Sequence, residues 1–512
     1  VGATDRNQLD FRVNNHIQVN GGRSVQVQDK LFIGGEWVTP AGTDTIDVIS
    51  PHSEEIVGRV PEGTTADIDR AVAAARDAFD NGEWPRMAPA DRIAAVQRFS
   101  DIYAARMMDM SAIITEEMGS PISFSQLAQA PAPWMMLGSF IQVATAHEWE
   151  ESRMGVMGSP VIVRSEAVGV VGAIVPWNVP QFVTMSKLAP ALLTGCTIVI
   201  KPSPETPLDA YLMAQLLEEA GIPKGVVSVI PAGREVGEHL VRHPDVDKIA
   251  FTGSTAAGRK IAGICGEQLK RYSLELGGKS AAIILDDADL AATMESLKFA
   301  SLMNNGQACV AQTRILASRG NYDTVVDALS TMVSGMTVGD PSDPATEIGP
   351  LVAERQQERV EKYIAVGQEE GARVVVGGNG RPSGFDKGWY VQPTVFANVD
   401  NSMRIAQEEI FGPVLSVIPF DDVADAVRIA NDSDYGLAGS VWTADLDLGM
   451  DIARRVRTGT YGVNQYTMDF VAPFGGFKGS GVGREFGKEG MEHYIELKSI
   501  VPPGSYGVAA AG

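Results

Sequence analysis

Cysteine is scarce in this chain: only Cys196, Cys265 and Cys309 occur in 512 residues. Three thiols cannot build a disulfide framework, and the odd count leaves at least one of them free. Positive charge is also in deficit, because 42 Lys and Arg stand against 64 Asp and Glu for a formal net charge of −22. A surface of that sign repels phosphate backbones, which argues against nucleic acid as a partner. No apolar run approaches the ~20 residues that cross a bilayer, and Val1 to Lys30 is polar with no apolar signal core. These absences predict a cytoplasmic protein with no membrane partner. An intact G-x-G-x-x-G is missing too, since Gly479-Ser480-Gly481 runs on into Val482, Gly483 and Arg484. Any bound dinucleotide has to be held without that fingerprint.

What is present is a large, balanced chain, 45% hydrophobic, too long for one core and sized for two or three packed units. Residues 1–30 show no periodicity and read as a flexible arm. Apolar residues then recur at helical spacing from Thr65 to Phe79 and from Ala90 to Met118. From Ala167 the texture changes to short β-branched runs, Val168 to Val175, Thr197 to Ile200, Val226 to Ile230 and Lys248 to Phe251, each followed by a turn and a helical stretch. Alternation of this kind predicts βαβ units and a parallel, doubly wound sheet. A second series from Ser280 to about Tyr461 predicts a second α/β domain. Ahead of Ala167, the polar stretch Ala144 to Ser165 reads as a projecting hairpin whose exposed edge invites another subunit, or as an ordinary surface hairpin.

Cys309 follows a polar, Gly-containing loop, Asn304-Asn305-Gly306-Gln307-Ala308, whereas Cys196 and Cys265 fall in apolar patterns. Location makes Cys309 the candidate reactive thiol, against the commoner role of a small core residue. Glu275, in Leu274-Glu275-Leu276-Gly277-Gly278, ends a run that reads as a buried strand. Such a carboxylate is either a general base with a raised pKa or the partner of a nearby cation. Asn178, in Pro176-Trp177-Asn178-Val179-Pro180, follows the first parallel strand, where open α/β sheets bind their ligands. Its amide could donate to an oxyanion, or merely shape a turn. Phe251-Thr252-Gly253-Ser254-Thr255-Ala256-Ala257-Gly258 joins a strand to a helix through small residues that leave backbone N–H groups open to a pyrophosphate. It nearly matches an ATPase phosphate loop, but Arg259 and Lys260 stand where that motif needs Lys and Ser or Thr. His147-Glu148 lacks the second histidine of a zinc-protease helix, and His239 with His243 has no third ligand nearby in sequence, so no metal is expected.

Taken in order, Pro176-Trp177-Asn178, Lys201-Pro202-Ser203, Phe251-Thr252-Gly253-Ser254, Leu274 to Lys279, Gly306 to Cys309, Glu409-Ile410-Phe411-Gly412-Pro413 and Pro473-Phe474-Gly475-Gly476 resemble the aldehyde dehydrogenase superfamily, from about Phe32 to Ile500. The resemblance implies a cofactor-binding domain (31–143 and 166–275), a catalytic domain (276–465) and oligomerisation segments (144–165 and 485–505) that make a homodimer or homotetramer. It implies Cys309 as nucleophile, Asn178 as oxyanion donor, Glu275 as the base that hydrolyses the thioester, and Lys187 with Glu485 as a proton relay behind it. Relatives that pass the acyl group to coenzyme A lack that base, so hydrolysis is favoured over CoA transfer, and the joint presence of Cys309, Glu275 and Asn178 argues against an idle binding role. For the cofactor, NAD with NADP possible, the resemblance points to Ile174, Trp177, Lys201, Ser203, Gly233, Gly253, Ser254, Gly258, Leu276, Glu409 and Phe411. NAD-selective relatives often carry Glu three residues after the lysine; this chain has Pro204 there and Glu205 next. The aldehyde tunnel would be lined by Val179, Val183, Ser186, Met303, Val310, Tyr466, Phe470 and Phe474. None of these is cationic, which predicts an uncharged aldehyde of medium size.

Overall fold

The structure, a computed structural model, describes residues 16–20 and 23–503. Its centre is an eight-stranded sheet. In spatial order this runs Gly481–Val482, Arg271–Glu275, Lys248–Thr252, Val170–Ile174, Thr197–Lys201, Val227–Val229, Leu31–Ile33 and Glu36–Val38. The middle five strands are mutually parallel, and antiparallel strands close both edges. Val170–Ile174 and Thr197–Lys201 are buried along their whole length. A parallel strand covered by helices on both faces needs an unbroken apolar run, and that is what the sequence supplied. The helices between them include Pro180–Thr194, stopped by Gly195 in the left-handed region, and Thr255–Glu267, capped by the Ser254 hydroxyl.

A second sheet of seven strands lies in the order Arg373–Val376, Thr394–Ala397, Val414–Phe420, Arg314–Ser318, Ala281–Ile284, Gly439–Trp442 and Gly462–Val463. All its pairs are parallel except the first. The chain passes from one sheet to the other through Leu276 to Ser280, so Glu275 is the last residue of a strand in the first sheet. Two sheets, each with its own helices, make two α/β units.

Three features differ from the sequence reading. Residues 1–15, 21 and 22 of the expected arm lie outside the described residues. Within it, however, His16–Asn20 pairs antiparallel with Arg23–Val27, and Arg23–Val27 runs parallel to Ile56–Pro61. This part is sheet, not free arm, because its partner is distant in sequence and no local periodicity announces it. The helical pattern from Ala90 to Met118 is two helices, Pro89–Ala105 and Met107–Met118, broken at Arg106. The projecting hairpin begins later than Ala144, since helix Pro131–Ala146 runs through that point. Its strands Glu150–Met154 and Pro160–Ala167 gain a third, Ile495–Ile500, from the C-terminal segment.

Candidate active site

The loop before Cys309 is held in a strained shape. Asn304, Asn305 and Gly306 are three consecutive residues at φ 55, 63 and 72°, a region that side-chain-bearing residues enter at a cost. Side-chain amides fix them there. Asn305 Nδ2 donates to the carbonyls of Gly119 and Pro350, both at 2.9 Å, and its Oδ1 accepts from Gly349 N at 2.6 Å. Asn304 Nδ2 donates to the Asn178 carbonyl at 2.8 Å, which also accepts from Gln129 Nε2 at 3.0 Å. Asn178 Nδ2 in turn donates to the Gln307 carbonyl at 2.9 Å. The expected oxyanion amide is therefore bonded to backbone two residues from Cys309. Gln129 belongs to this frame and was not singled out from the sequence, because it sits far from any chemical motif; Asn304 stands in the loop before Cys309, but its bond to the Asn178 carbonyl was not foreseen.

Glu275 and Cys309 approach from the other side of the chain. A Cβ built on Gly278 would lie 2.4 Å from the Cys309 carbonyl oxygen, and one on Gly475 would lie 2.6 Å from Glu275 Oε1. Both glycines are required by close approach. Glu275 is 4% exposed, and neither carboxylate oxygen has a hydrogen-bond partner among the described residues. Burial raises its pKa well above the usual carboxylate range, and Glu485 adds to the rise while Lys187 and Arg484 oppose it. Lys187, fully buried, pairs with Glu485 and donates to Thr252 Oγ1 at 2.8 Å. Cys309 is half-buried, yet loss of water around its thiol pushes the pKa up to about 12, with the charges of Glu409 and Glu275 adding to it.

Along the carboxyl ends of the first sheet's strands runs a second set of groups. Lys201 Nζ is buried and donates to the carbonyls of Ala232 at 2.7 Å and Pro202 at 3.0 Å. A Cβ on Gly237 would meet Lys201 Cε at 3.2 Å and Ile174 Cδ1 at 3.9 Å. Gly233 caps helix Arg234–Arg242, and Ser254 caps Thr255–Glu267, so two helix N-termini face the same edge. Gly258 packs on the Leu276 side chain, Glu409 Oε1 accepts from Gly278 N at 2.9 Å, and Trp177 meets Phe411 edge-on at 5.4 Å between centroids. The Ser203 hydroxyl and the Arg355 guanidinium both bond Glu205. A lysine with no bonded carboxylate among the described residues, two helix N-termini and bare glycine backbone together fit a diphosphate flanked by riboses.

The expected tunnel residues gather as well. Val183, Met303, Val310, Tyr466 and Phe474 belong to one apolar cluster, on which half-buried Val179, Phe470 and Cys309 pack. Phe470 and Phe474 pack against Phe486 with ring centroids 5.4 and 5.1 Å apart, and Phe182 meets both Phe470 and Phe486. Phe182 and Phe486 were missed from the sequence; only their contacts reveal them. Ser186 turns its hydroxyl to the Val183 carbonyl at 2.8 Å, inside its own helix.

The profile of the aldehyde dehydrogenase family matches residues 37–500. The chain belongs to that family. Its relatives include a geranial dehydrogenase of Castellaniella defragrans, 48% identical over 470 residues that cover 92% of this chain and 98% of that protein. Among solved structures, an aldehyde dehydrogenase of Mycobacterium tuberculosis complexed with NAD+ superposes with a TM-score of 0.93 at 52% identity, covering 95% of this chain and all of that one. A Pseudomonas syringae aldehyde dehydrogenase mutant in complex with NAD+ and octanal gives 0.90 at 40% identity, covering 92% and 96%. The enzyme is an NAD(P)-dependent oxidoreductase that converts an aldehyde to a carboxylic acid.

Proposed function

We propose that the enzyme oxidises uncharged, medium-sized apolar aldehydes with NAD, through a thioester on Cys309 that water hydrolyses. The Cys309 sulfur bonds the aldehyde carbon, and the oxyanion that forms is met by the Asn178 side-chain amide and the Cys309 N–H. A nicotinamide dinucleotide, when bound, supplies the acceptor for the hydride that this carbon gives up. Lys201 and Ser203 would hold its adenosine ribose, Gly253 and Ser254 its diphosphate, and Glu409 with Phe411 its second ribose. Glu275 then takes a proton from water, whose oxygen bonds the acyl carbon as the carbon–sulfur bond breaks.

What supports this reading is a buried carboxylate at Glu275 with no hydrogen-bond partner among the described residues, the Asn178 amide bonded to the Gln307 carbonyl two residues from Cys309, and a Cys309 thiol whose pKa burial raises first and the charges of Glu409 and Glu275 raise further. The apolar, aromatic lining with no cation supports the substrate class, and geranial and octanal in the relatives' names are aldehydes of that kind. Glu205 beside Ser203 supports NAD over NADP, because its charge would repel a 2′-phosphate, although its bond to Arg355 leaves a cation at hand. The three-stranded sheet of residues 150–167 and 495–500 supports assembly into a homodimer or a pair of dimers.

The test is Glu275→Gln. With octanal and NAD, this variant is expected to release one equivalent of NADH per Cys309 and then stall as an acyl-enzyme visible by intact mass. Steady-state turnover at the parental rate would remove Glu275 from the mechanism. A panel extended to succinate semialdehyde tests the substrate class, which a preference for that charged aldehyde would overturn.

A further inference from the structure

The segment Leu276 to Ser280, which carries the chain from one sheet to the other, is pinned along its backbone. The Gly277 carbonyl accepts from Ser480 Oγ at 2.7 Å, Gly278 N donates to Glu409 Oε1 at 2.9 Å, and the Lys279 carbonyl accepts from Arg314 Nε at 2.9 Å. Its two polar side chains are not pinned. Lys279 and Ser280 are 2% and 4% exposed, yet neither Lys279 Nζ nor Ser280 Oγ has a hydrogen-bond partner among the described residues. Arg314 is buried as deeply. Its Nε meets the Lys279 carbonyl, its Nη1 meets Asn401 Oδ1 and the Ile429 carbonyl, and its Nη2 meets the Ala430 carbonyl. A guanidinium has one N–H more than these bonds use. No carboxylate among the described residues bonds either cation; Asp432 reaches Arg314 only through Asn401, whose Nδ2 donates to Asp432 Oδ2 at 3.0 Å.

Lys279, Ser280 and Arg314 line one cavity of about 10 Å³, together with Gly436, Ala438 and Thr458. It lies where the parallel strands Ala281–Ile284 and Arg314–Ser318 begin. A space of that size takes a single water-sized body. An ammonium and a guanidinium buried beside each other lose hydration and repel one another, so packing alone favours an apolar side chain in place of either. A water molecule would accept their free N–H groups but bring no charge to offset them. A monatomic anion does both, and it also accepts from the Ser280 hydroxyl. Phosphate, sulfate and carboxylates are too large for the space.

We propose that Lys279, Ser280 and Arg314 form a binding site for a monovalent anion of halide size, with chloride as the ligand. The ion bridges the crossover segment to the first residue of a strand in the second sheet, and so ties the two α/β units together beside Gly278. The electrostatics agree with the geometry. Burial lowers the Lys279 pKa to about 7, with the charges of Arg314 and Arg359 adding to that shift and those of Glu409 and Glu408 opposing it. On the far side of the cavity Arg314 is opposed by Asp432 and in turn depresses Lys478. A bound anion favours the ammonium form of Lys279. Halide affinity should therefore be full below about pH 7 and fall about tenfold for each pH unit above it.

The experiment uses the full chain exchanged into sodium gluconate, with sodium chloride or sodium bromide titrated in at constant ionic strength. The thermal midpoint is expected to rise and then saturate with either halide, with the half-saturating concentration about tenfold higher at pH 8.5 than at pH 7.5. Lys279→Met keeps the bulk of the side chain without its charge and should lose the saturable response. Crystals grown in bromide should show an anomalous peak between Lys279 Nζ and the Arg314 guanidinium. A response that stays linear in salt, or one of the same size in Lys279→Met, would overturn the proposal. Should Lys279→Met fail to fold, the bromide map of the parental chain decides alone: a peak at this place supports the site, and density for water without anomalous signal refutes it.

Discussion

At the scale of single residues, the thiol is the group whose state decides when chemistry begins. Burial and two neighbouring carboxylates, Glu409 and Glu275, hold Cys309 in its protonated form, with a pKa of about 12. Only the thiolate attacks carbon. The cofactor-free enzyme should therefore be slow to alkylate: the iodoacetamide rate should climb about tenfold for each unit between roughly pH 7 and 10, without a plateau. The sign follows from the direction of the shift, since a raised thiol pKa moves ionisation to higher pH. Glu409→Gln removes one of the charges that raise it and should speed alkylation at any fixed pH in that range. A plateau by pH 9 in the parental protein would show a thiol that is already ionised and would contradict this environment.

At the scale of elements, the loop that carries the thiol is held by contacts the sequence only partly displayed. Gly306 shows why a glycine stands there: φ is 72°, and a Cβ would lie 2.3 Å from the Gly412 carbonyl group. Gly306→Ala forces the backbone to move, and the nearest element that can yield is the turn leading to Cys309. We expect acylation by p-nitrophenyl acetate to fall by about 100-fold, with binding of NAD by calorimetry retained, because Lys201 ends a strand and Ser254 caps a helix in the first sheet's layer, away from this loop. Loss of both together would point to general unfolding. The motif Gly306-Gln307-Ala308-Cys309 was legible, as were the parallel strands, since burial on both faces leaves an apolar run in the sequence. The frame around the motif was not. Gln129, Asn304 and Asn305 act through partners far away in sequence, and a lone amide on a helix or loop carries no periodic signal. The same reason hid the pairing of Ile495–Ile500 with Pro160–Ala167 and the sheet at Arg23–Val27. A strand's own residues announce its existence but not its partner.

At the scale of the whole molecule, charge and apolar surface pull in opposite directions. A net charge of −22 keeps copies of the chain apart at long range, so a stable assembly needs a local apolar surface that outweighs the repulsion. The three-stranded sheet offers one. Met154, Val156 and Met157 at the hairpin are 78 to 103% exposed, and Leu497 and Val501 on the C-terminal segment are 70% and 74% exposed. Large apolar side chains exposed in this way are of the kind that a second copy of the chain would cover. The charges beside them are paired, Arg153 with Glu151, Arg164 with Glu150 and Lys498 with Glu166, so this face repels less than the rest. Its outer strands, Glu150–Met154 and Ile495–Ile500, also leave edges that a second copy could extend. Val156→Asp with Met157→Asp places two further charges at the hairpin tip, where they touch nothing of the active site. Sedimentation at several micromolar concentrations should show the parental chain as a dimer or tetramer and the double variant shifted to monomer, with deacylation of preformed acyl-enzyme unchanged. A parental monomer, or a double variant that sediments as the parent does, would mean that this face is not what joins the subunits.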